Sequence, residues 1–321
     1  MALPAATARF SAADPLLLLA MDHRESLGRT VFGVEHDSPT DEQRAAMVRA
    51  KQLVYAGLRM ALPSVPAGRP GVLVDQRYGA PVIDAAHGDP VVLAVPVERS
   101  GRPWFELEYG DDWQRRLRAA RPDYAKVLVR DNPAFPHDLR TRQFEALRRV
   151  GRGLSELAVP LLYELLVPGT DDQLAAVGGD TDRYDRDVRP DLVVSVLADN
   201  QAAGIEPAIW KIEGLETADA ARAVVAQARA GGRGGVDVIL LGRDAPAQRL
   251  HHWIEVAAPV DGFVGFAIGR SIWDDAVAAH RRGELDDEAL SRQVRDRYLD
   301  FAGRYCAASG ASAGQRGDPA S

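Results

Sequence analysis

A single cysteine in 321 residues, Cys306, rules out an intramolecular disulfide and a thiolate metal cluster and points to a reducing compartment. No stretch approaches the roughly 18 consecutive apolar residues of a membrane span. The apolar run nearest the start, Leu16 to Met21, is too short and too poorly flanked for a secretion signal. Positive charge is not in excess either. Lys and Arg number 39 against 46 Asp and Glu, and a net charge of -7 argues against nucleic acid or an anionic membrane as partner. No Gly-x-Gly-x-x-Gly follows the first apolar run and no Walker-type loop occurs, so the common nucleotide cradles are missing. The seven histidines show no His-x-His or His-Glu-x-x-His spacing; His251 and His252 fall on a predicted outer helix, and only His23 beside Asp22 and His87 near Asp84 lie close to acids. Neither a metal nor another cofactor is therefore expected. What remains is a soluble cytoplasmic protein whose partner is a small molecule, with homo-oligomerisation left open.

What the sequence does contain is a repeated alternation. Short apolar runs at Leu16–Ala20, Gly71–Val74, Val91–Val97, Tyr124–Val129, Pro160–Val167, Ile209–Ile212, Val236–Leu241 and Gly262–Ile268 read as strands buried on both faces. Amphipathic helical stretches separate most of them, as from Pro136 to Leu157 with Phe144, Leu147 and Val150 on one side. Glu98 to Tyr109 reads as an irregular or hairpin excursion, and Gly169 to Asp187 as a polar, Asp-rich loop. Eight strand-helix units without a mid-chain linker predict one α/β domain, a (β/α)8 barrel over 13–306, with a flexible start at 1–12 and a disordered tail at 307–321.

In such a barrel the reactive groups stand at the C-terminal ends of the strands. The polar residues at those places are Asp22, Asp75, Lys126, Glu164, Lys211, Arg243 and Arg270. Lys126, Glu164 and Lys211 each interrupt an apolar run, where a charge is costly unless paired or put to chemical use. Each alone has a plain structural reading: Lys211 could pair with Glu213, and Glu164 could pair with Lys126. Together, two lysines and two acids suit carbon–carbon cleavage through an imine, which needs an amine nucleophile, a carboxyl proton carrier and a base for a substrate hydroxyl. The sequences Leu241-Gly242-Arg243 and Ile268-Gly269-Arg270-Ser271 end strands seven and eight, where barrels commonly hold phosphate on backbone N–H groups.

Several short stretches in order carry a family resemblance: Ala20-Met21-Asp22-His23-Arg24-Glu25-Ser26-Leu27, Val74-Asp75-Gln76-Arg77-Tyr78-Gly79, Tyr163-Glu164-Leu165-Leu166-Val167-Pro168, Trp210-Lys211-Ile212-Glu213 and Gly265-Phe266-Ala267-Ile268-Gly269-Arg270-Ser271. In these the chain resembles class I aldolases related to tagatose 1,6-bisphosphate aldolase, and most closely the aldolase-like domain fused behind 5-dehydro-2-deoxygluconokinase. The resemblance implies that Lys211 forms the Schiff base, Glu164 shuttles protons, Asp22 and Lys126 touch the reacting centre, and Arg270 with Gly269 and Gly242 holds a phosphate. Arg243, Asp75, Arg24 and His23 complete the candidate substrate-binding set. Two departures bear on substrate choice: His23 stands where the tagatose type has glutamine, and Gly242-Arg243-Asp244-Ala245-Pro246 replaces the Gly-Leu-Glu-Ala-Pro of the kinase-fused domain. The implied activity is cleavage of a phosphorylated keto sugar or keto sugar acid to dihydroxyacetone phosphate and an aldehyde. The alternatives are an isomerase or decarboxylase working without an imine, or a sugar-phosphate binding protein without catalysis.

Overall fold

The structure, a computed structural model, describes residues 10–35, 38–242 and 245–311. Eight parallel strands, β1 (Leu16–Ala20), β2 (Arg69–Leu73), β3 (Val92–Pro96), β4 (Tyr124–Arg130), β5 (Leu161–Leu166), β6 (Ile209–Glu213), β7 (Asp237–Leu241) and β8 (Phe263–Ile268), close into a barrel in sequence order. The closing pair is β1 against β8, with Leu16 opposite Gly265. Nearly every strand residue is buried, as expected where helices cover the outside and side chains fill the inside.

The period-2 alternation of strands sorts these residues into two cores. Leu16, Leu18, Ala20, Leu73, Ala94, Tyr124, Leu162, Ile209, Ile239 and Ala267 fill the barrel interior, with Phe10 among them. Leu17, Leu19, Val72, Val127, Tyr163, Trp210, Ile212, Val238 and Phe266 instead face the helical layer. Gly265 shows why the eighth strand needs a glycine: its φ is 149°, a Cβ there would lie 1.9 Å from the Leu16 carbonyl oxygen, and the β7–β8 register shifts beside it.

The helices are α1 (Glu25–Phe32), α2 (Asp41–Ala61), α3 (Gln76–Ala86), α4 (Trp113–Ala120), α5 (His137–Leu157), α6 (Asp171–Ala176), α7 (Thr181–Arg183), α8 (Arg189–Ala202), α9 (Ala218–Ala228), α10 (Ala247–Ala257), α11 (Arg270–Arg281) and α12 (Asp287–Ser309). Their starts carry the side-chain acceptors that orphan N–H groups need: Thr40 and Gln43 form a capping box on α2, while Asp75, Thr217 and Asp286 cap α3, α9 and α12.

Two expectations change. The stretch from Gly169 to Asp187 is mostly helical, comprising α6, α7 and a π turn over Tyr184–Val188. Thr170 and Asp180 cap its two starts, and the Tyr184 hydroxyl donates to the Val167 carbonyl at 3.0 Å, tying it to the end of β5. Acidic residues that suggested a loop are there as caps and first-turn charges. At the other end, α12 runs to Ser309, past residue 307 where the tail was expected to begin. The excursion after β3 is a hairpin, with an antiparallel bridge between Glu98 and Leu107. Among the described residues no helix is long and apolar enough to cross a membrane.

Candidate active site

Register alone brings the charged strand residues together. On β6 the interior positions are Ile209 and then, two residues on, Lys211; on β5 they are Leu162 and then Glu164. The β5–β6 ladder sets Glu164 directly opposite Lys211, and β4 places Lys126 opposite Leu162, one layer deeper. Above the apolar filling the barrel therefore turns from Leu and Ile to Lys and Glu within one step of each strand.

Glu164 joins two lysines. Its Oε1 lies 2.8 Å from Lys211 Nζ and its Oε2 2.7 Å from Lys126 Nζ. Lys126 also donates to Asp22 Oδ2 at 2.8 Å and to Glu98 Oε1 at 3.0 Å, so three carboxylates surround one ammonium. Glu98 in turn pairs with Arg24 Nη2 at 3.0 Å. The Lys211–Glu213 pairing that a plain reading of the strand allowed is not formed: Glu213 accepts from the Val167 N–H at 2.9 Å and lies 4.0 Å from Arg189.

Burial penalises every charge here, and the partners decide which way each group moves. Burial pushes Lys126 toward losing its proton, but Asp22, Glu164 and Glu98 more than offset this and hold it well above the ordinary lysine value. Burial raises Asp22, yet Lys126, His23 and Lys211 bring it far below the usual carboxylate range. Glu164 is likewise lowered, its burial overcome by Lys126 and Lys211. Glu98 goes the other way: burial raises it, and Lys126 and Arg24 do not fully compensate. His23 falls to about 4 through burial and through Arg270, Lys211 and Lys51, against the pull of Asp22. At neutral pH the site thus holds a charged Lys126, ionised Asp22 and Glu164, and a neutral His23.

These groups floor a cavity of about 560 Å³ at the C-terminal ends of the strands. Gly242, Gly269, Arg270 and Ser271 line its β7–β8 side; Arg24, Glu98 and the hairpin residues Arg102, Trp104 and Phe105 line its β1–β3 side. Gly269 is the residue before α11, and a Cβ on it would stand 2.4 Å from the Ala20 carbonyl and 2.9 Å from the His23 ring, so only glycine lets the end of β8 approach β1 this closely. The first turn of α11 brings its positive dipole end to that side.

Of the sequence-predicted residues, Lys211, Glu164, Lys126, Asp22, His23, Arg24, Gly242, Gly269 and Arg270 all line the cavity. Arg243 lies outside the described residues. Asp75 does not reach the cavity: its carboxylate pairs with Lys51 and accepts the Tyr78 N–H at 2.8 Å beneath the strand ends. Two participants were missed. Lys51, buried on α2, donates to the carbonyls of Met21 and His23 and so fixes the backbone on either side of Asp22. Glu98, 4% exposed, sits in the hairpin, where no strand periodicity marks it; its one sequence signal is its place directly after the third apolar run. Among the described residues no cluster of three or more His, Cys, Asp or Glu could hold a metal ion.

Comparison with solved structures shows the same barrel. One similar structure is described as an archaeal fructose 1,6-bisphosphate aldolase, 15% identical with a TM-score of 0.57, covering 92% of this chain and 95% of that one. A second, from a study of the mechanism of the Schiff-base-forming fructose-1,6-bisphosphate aldolase, is 14% identical with a TM-score of 0.54 over 91% and 94%. A third, a protein of Corynebacterium glutamicum, is 17% identical with a TM-score of 0.52 over 88% and 86%. At these identities the likeness is one of fold, the closed eight-stranded barrel. No curated protein matches the sequence. The family model described as "Uncharacterized protein conserved in bacteria (DUF2090)" matches residues 2–307, and the chain belongs to that family.

Proposed function

We propose that this protein is a cytoplasmic class I aldolase that cleaves a phosphorylated keto sugar or keto sugar acid to dihydroxyacetone phosphate and an aldehyde. The observation that carries this reading is Glu164 held between two amines, 2.8 Å from Lys211 and 2.7 Å from Lys126. Glu164 takes a proton from Lys211, while Asp22 and Glu98 keep Lys126 charged. The freed Lys211 amine attacks the substrate ketone. Glu164 returns the proton to the carbinolamine oxygen, water leaves, and a protonated imine forms. Loss of a proton from the hydroxyl on the far carbon of the scissile bond, taken by a carboxylate such as Asp22, breaks the carbon–carbon bond. Its electron pair flows into the imine to give an enamine, and the aldehyde departs. Protonation of the enamine carbon and hydrolysis then release dihydroxyacetone phosphate and regenerate Lys211. Charged Lys126 steadies the developing alkoxide.

The ketone's phosphate belongs on the β7–β8 side, on the backbone around Gly242 and Gly269, on the start of α11 and on Arg270. The motifs quoted above favour a relation to the tagatose 1,6-bisphosphate and kinase-fused types, and substrates of that class head the panel to be tried. Incubation with dihydroxyacetone phosphate and borohydride is expected to add covalent mass on the peptide containing Lys211. An unchanged mass, with turnover retained in Lys211→Ala, would exclude this mechanism and favour a barrel enzyme that works without an imine.

A further inference from the structure

Among the described residues, one ion pair of the charged network holds two sealed polar atoms without a partner. Glu98 gives its Oε1 to Lys126 and to Arg24 Nη2, each at 3.0 Å, while its Oε2 is buried and has no hydrogen-bond partner. Arg24 donates from Nη1 to the Glu98 carbonyl at 2.8 Å, while its Nε–H is equally buried and unmatched. The two side chains are 4% and 5% exposed and both line the cavity. A buried donor and a buried acceptor left unmatched have each given up their bonds to water for nothing in return, so native structures seldom keep such a pair without a use. Nor is this segment loose. The hairpin that carries Glu98 is closed by Arg99 N–H to Glu106 at 2.8 Å and Glu108 N–H to Val97 at 3.0 Å, and its register places Glu98 in the bridge to Leu107.

The chemistry of the two atoms selects their ligand. One is an N–H donor and the other a carboxyl oxygen. A phosphate, which only accepts, would satisfy Arg24 and confront Glu98. A methylene would satisfy neither. A hydroxyl accepts from the Arg24 Nε–H and donates to Glu98 Oε2, so one hydroxyl or two neighbouring ones complete the pair. Location then says which part of the substrate this is, an argument that rests on the aldolase reading above. The phosphate side of the cavity is β7–β8, the amine nucleophile is on β6, and the ion pair stands on the β1–β3 side, reached through Glu164 and Lys126. A ketose with its ketone at Lys211 and that phosphate at Gly269 therefore extends the carbons beyond its scissile bond toward Arg24 and Glu98. The geometry points to Glu98 and Arg24 as the specificity-determining pair that reads a hydroxyl on the aldehyde half, making this an aldolase for hydroxyaldehydes rather than for their deoxy counterparts.

The test uses the full chain in the condensation direction, with dihydroxyacetone phosphate and two aldehydes that differ by one hydroxyl, glyceraldehyde 3-phosphate and 3-oxopropyl phosphate. Wild type is expected to prefer the hydroxylated aldehyde in kcat/KM by about a hundredfold or more, because a site built to bond a hydroxyl leaves its own groups unmatched when the hydroxyl is absent. Glu98→Gln and Arg24→Lys are expected to lower that preference at least about tenfold, each by removing one of the two matching atoms. A wild-type preference near one would overturn the proposal without any variant. So would an unchanged preference in both variants. Loss of borohydride trapping at Lys211 in both folded variants, with wild type still trapped, would assign the pair to holding Lys126 and equally overturn it. Failure of wild type to trap dihydroxyacetone phosphate at all would mark the failure of the aldolase reading itself, and the inference falls with it. Arg24→Lys, which keeps the charge beside Glu98, preserves the comparison should Glu98→Gln not fold.

Discussion

His23 is the residue whose protonation the site most firmly refuses. Its Nδ1 is sealed without a partner, its ring stands edge-on to Trp273 at 5.4 Å, and it falls to about 4 from an ordinary 6.5. Between those values the unfolded chain binds a proton that the folded chain does not, so stability rises with pH from about 4 to 6.5, by up to about 1.4 kcal/mol per unit. The ring is half-buried, with one edge open to the cavity, and solvent screening there reduces the total over that window to about 1–2 kcal/mol. His23→Gln is expected to flatten this limb in urea unfolding measured from pH 4 to 8. Asp22 and Glu164, held low, act in a different window: their contributions are complete above the unfolded carboxylate values and are lost only as pH falls through their depressed folded ones. An unchanged slope between pH 4 and 6.5 in His23→Gln would show that the proton is excluded elsewhere. In the proposed mechanism, Glu164→Gln keeps the shape but cannot carry a proton between Lys211 and the carbinolamine; a fall in kcat of about 10²–10⁴ is expected, with pre-steady-state imine formation slowed in step. Lys211, Lys126 and Glu164 were legible because each breaks an apolar strand. Glu98 was not, since it lies among charged hairpin residues where one more acid carries no signal.

At the scale of elements, α2 does more than cover the barrel. Lys51 reaches inward from it to the Met21 and His23 carbonyls and to Asp75, which also caps α3, so one ammonium ties α2 to the ends of β1 and β2. Burial draws Lys51 toward neutrality, and Asp75 opposes this. Removing the ammonium alone leaves Asp75 an uncompensated buried charge. Lys51→Met is therefore expected to cost about 3–5 kcal/mol in chemical denaturation, and the double variant with Asp75→Asn to recover a substantial part. Equal costs for single and double variants would mean that Lys51 acts through the two carbonyls alone. The same pairing explains why Asp75 was misread. An acid at a strand end looks alike in sequence whether its partner is a ligand or a helix lysine, and Lys51 lies on the helix face that packs inward, in a segment of otherwise ordinary helical pattern. Helix starts were similarly obscured after β8: Arg270, expected ahead of the helix, is its first residue, because Gly269 can stand against Ala20 where a side chain could not.

For the whole molecule the critical step is closure, since β1 and β8 come from opposite ends of the chain and must meet before any site exists. The strand count and order were readable from eight apolar runs, but nothing in those runs says how the seam is held. The structure shows α12 doing this. Tyr298 donates to the Leu17 carbonyl at 2.8 Å, Tyr305 donates to the Phe263 carbonyl at 3.0 Å, and Ser291 reaches the Leu53 carbonyl of α2 at 3.0 Å. Both tyrosine rings pack against Phe266 between them, with centroids 6.4 and 6.0 Å away. The two hydroxyls thus clamp the first and last strands from one helix face, seven residues apart along it. Tyr298→Phe and Tyr305→Phe each remove a hydrogen bond while keeping the ring, and each is expected to cost about 0.5–1.5 kcal/mol. In a domain of this size that corresponds to about 1.5 °C in Tm per kcal/mol. Because the two share Phe266 and one seam, the double variant is expected to depart from the sum of the singles by about 0.5 kcal/mol or more. Since β8 leads directly into Gly269 and α11, on the proposed aldolase reading loosening the seam is expected also to raise KM for a phosphorylated ketone before it lowers kcat. Strict additivity with an unchanged KM would show that closure and the β7–β8 side of the cavity are independent, and that the barrel wall, rather than α12, holds the site in register.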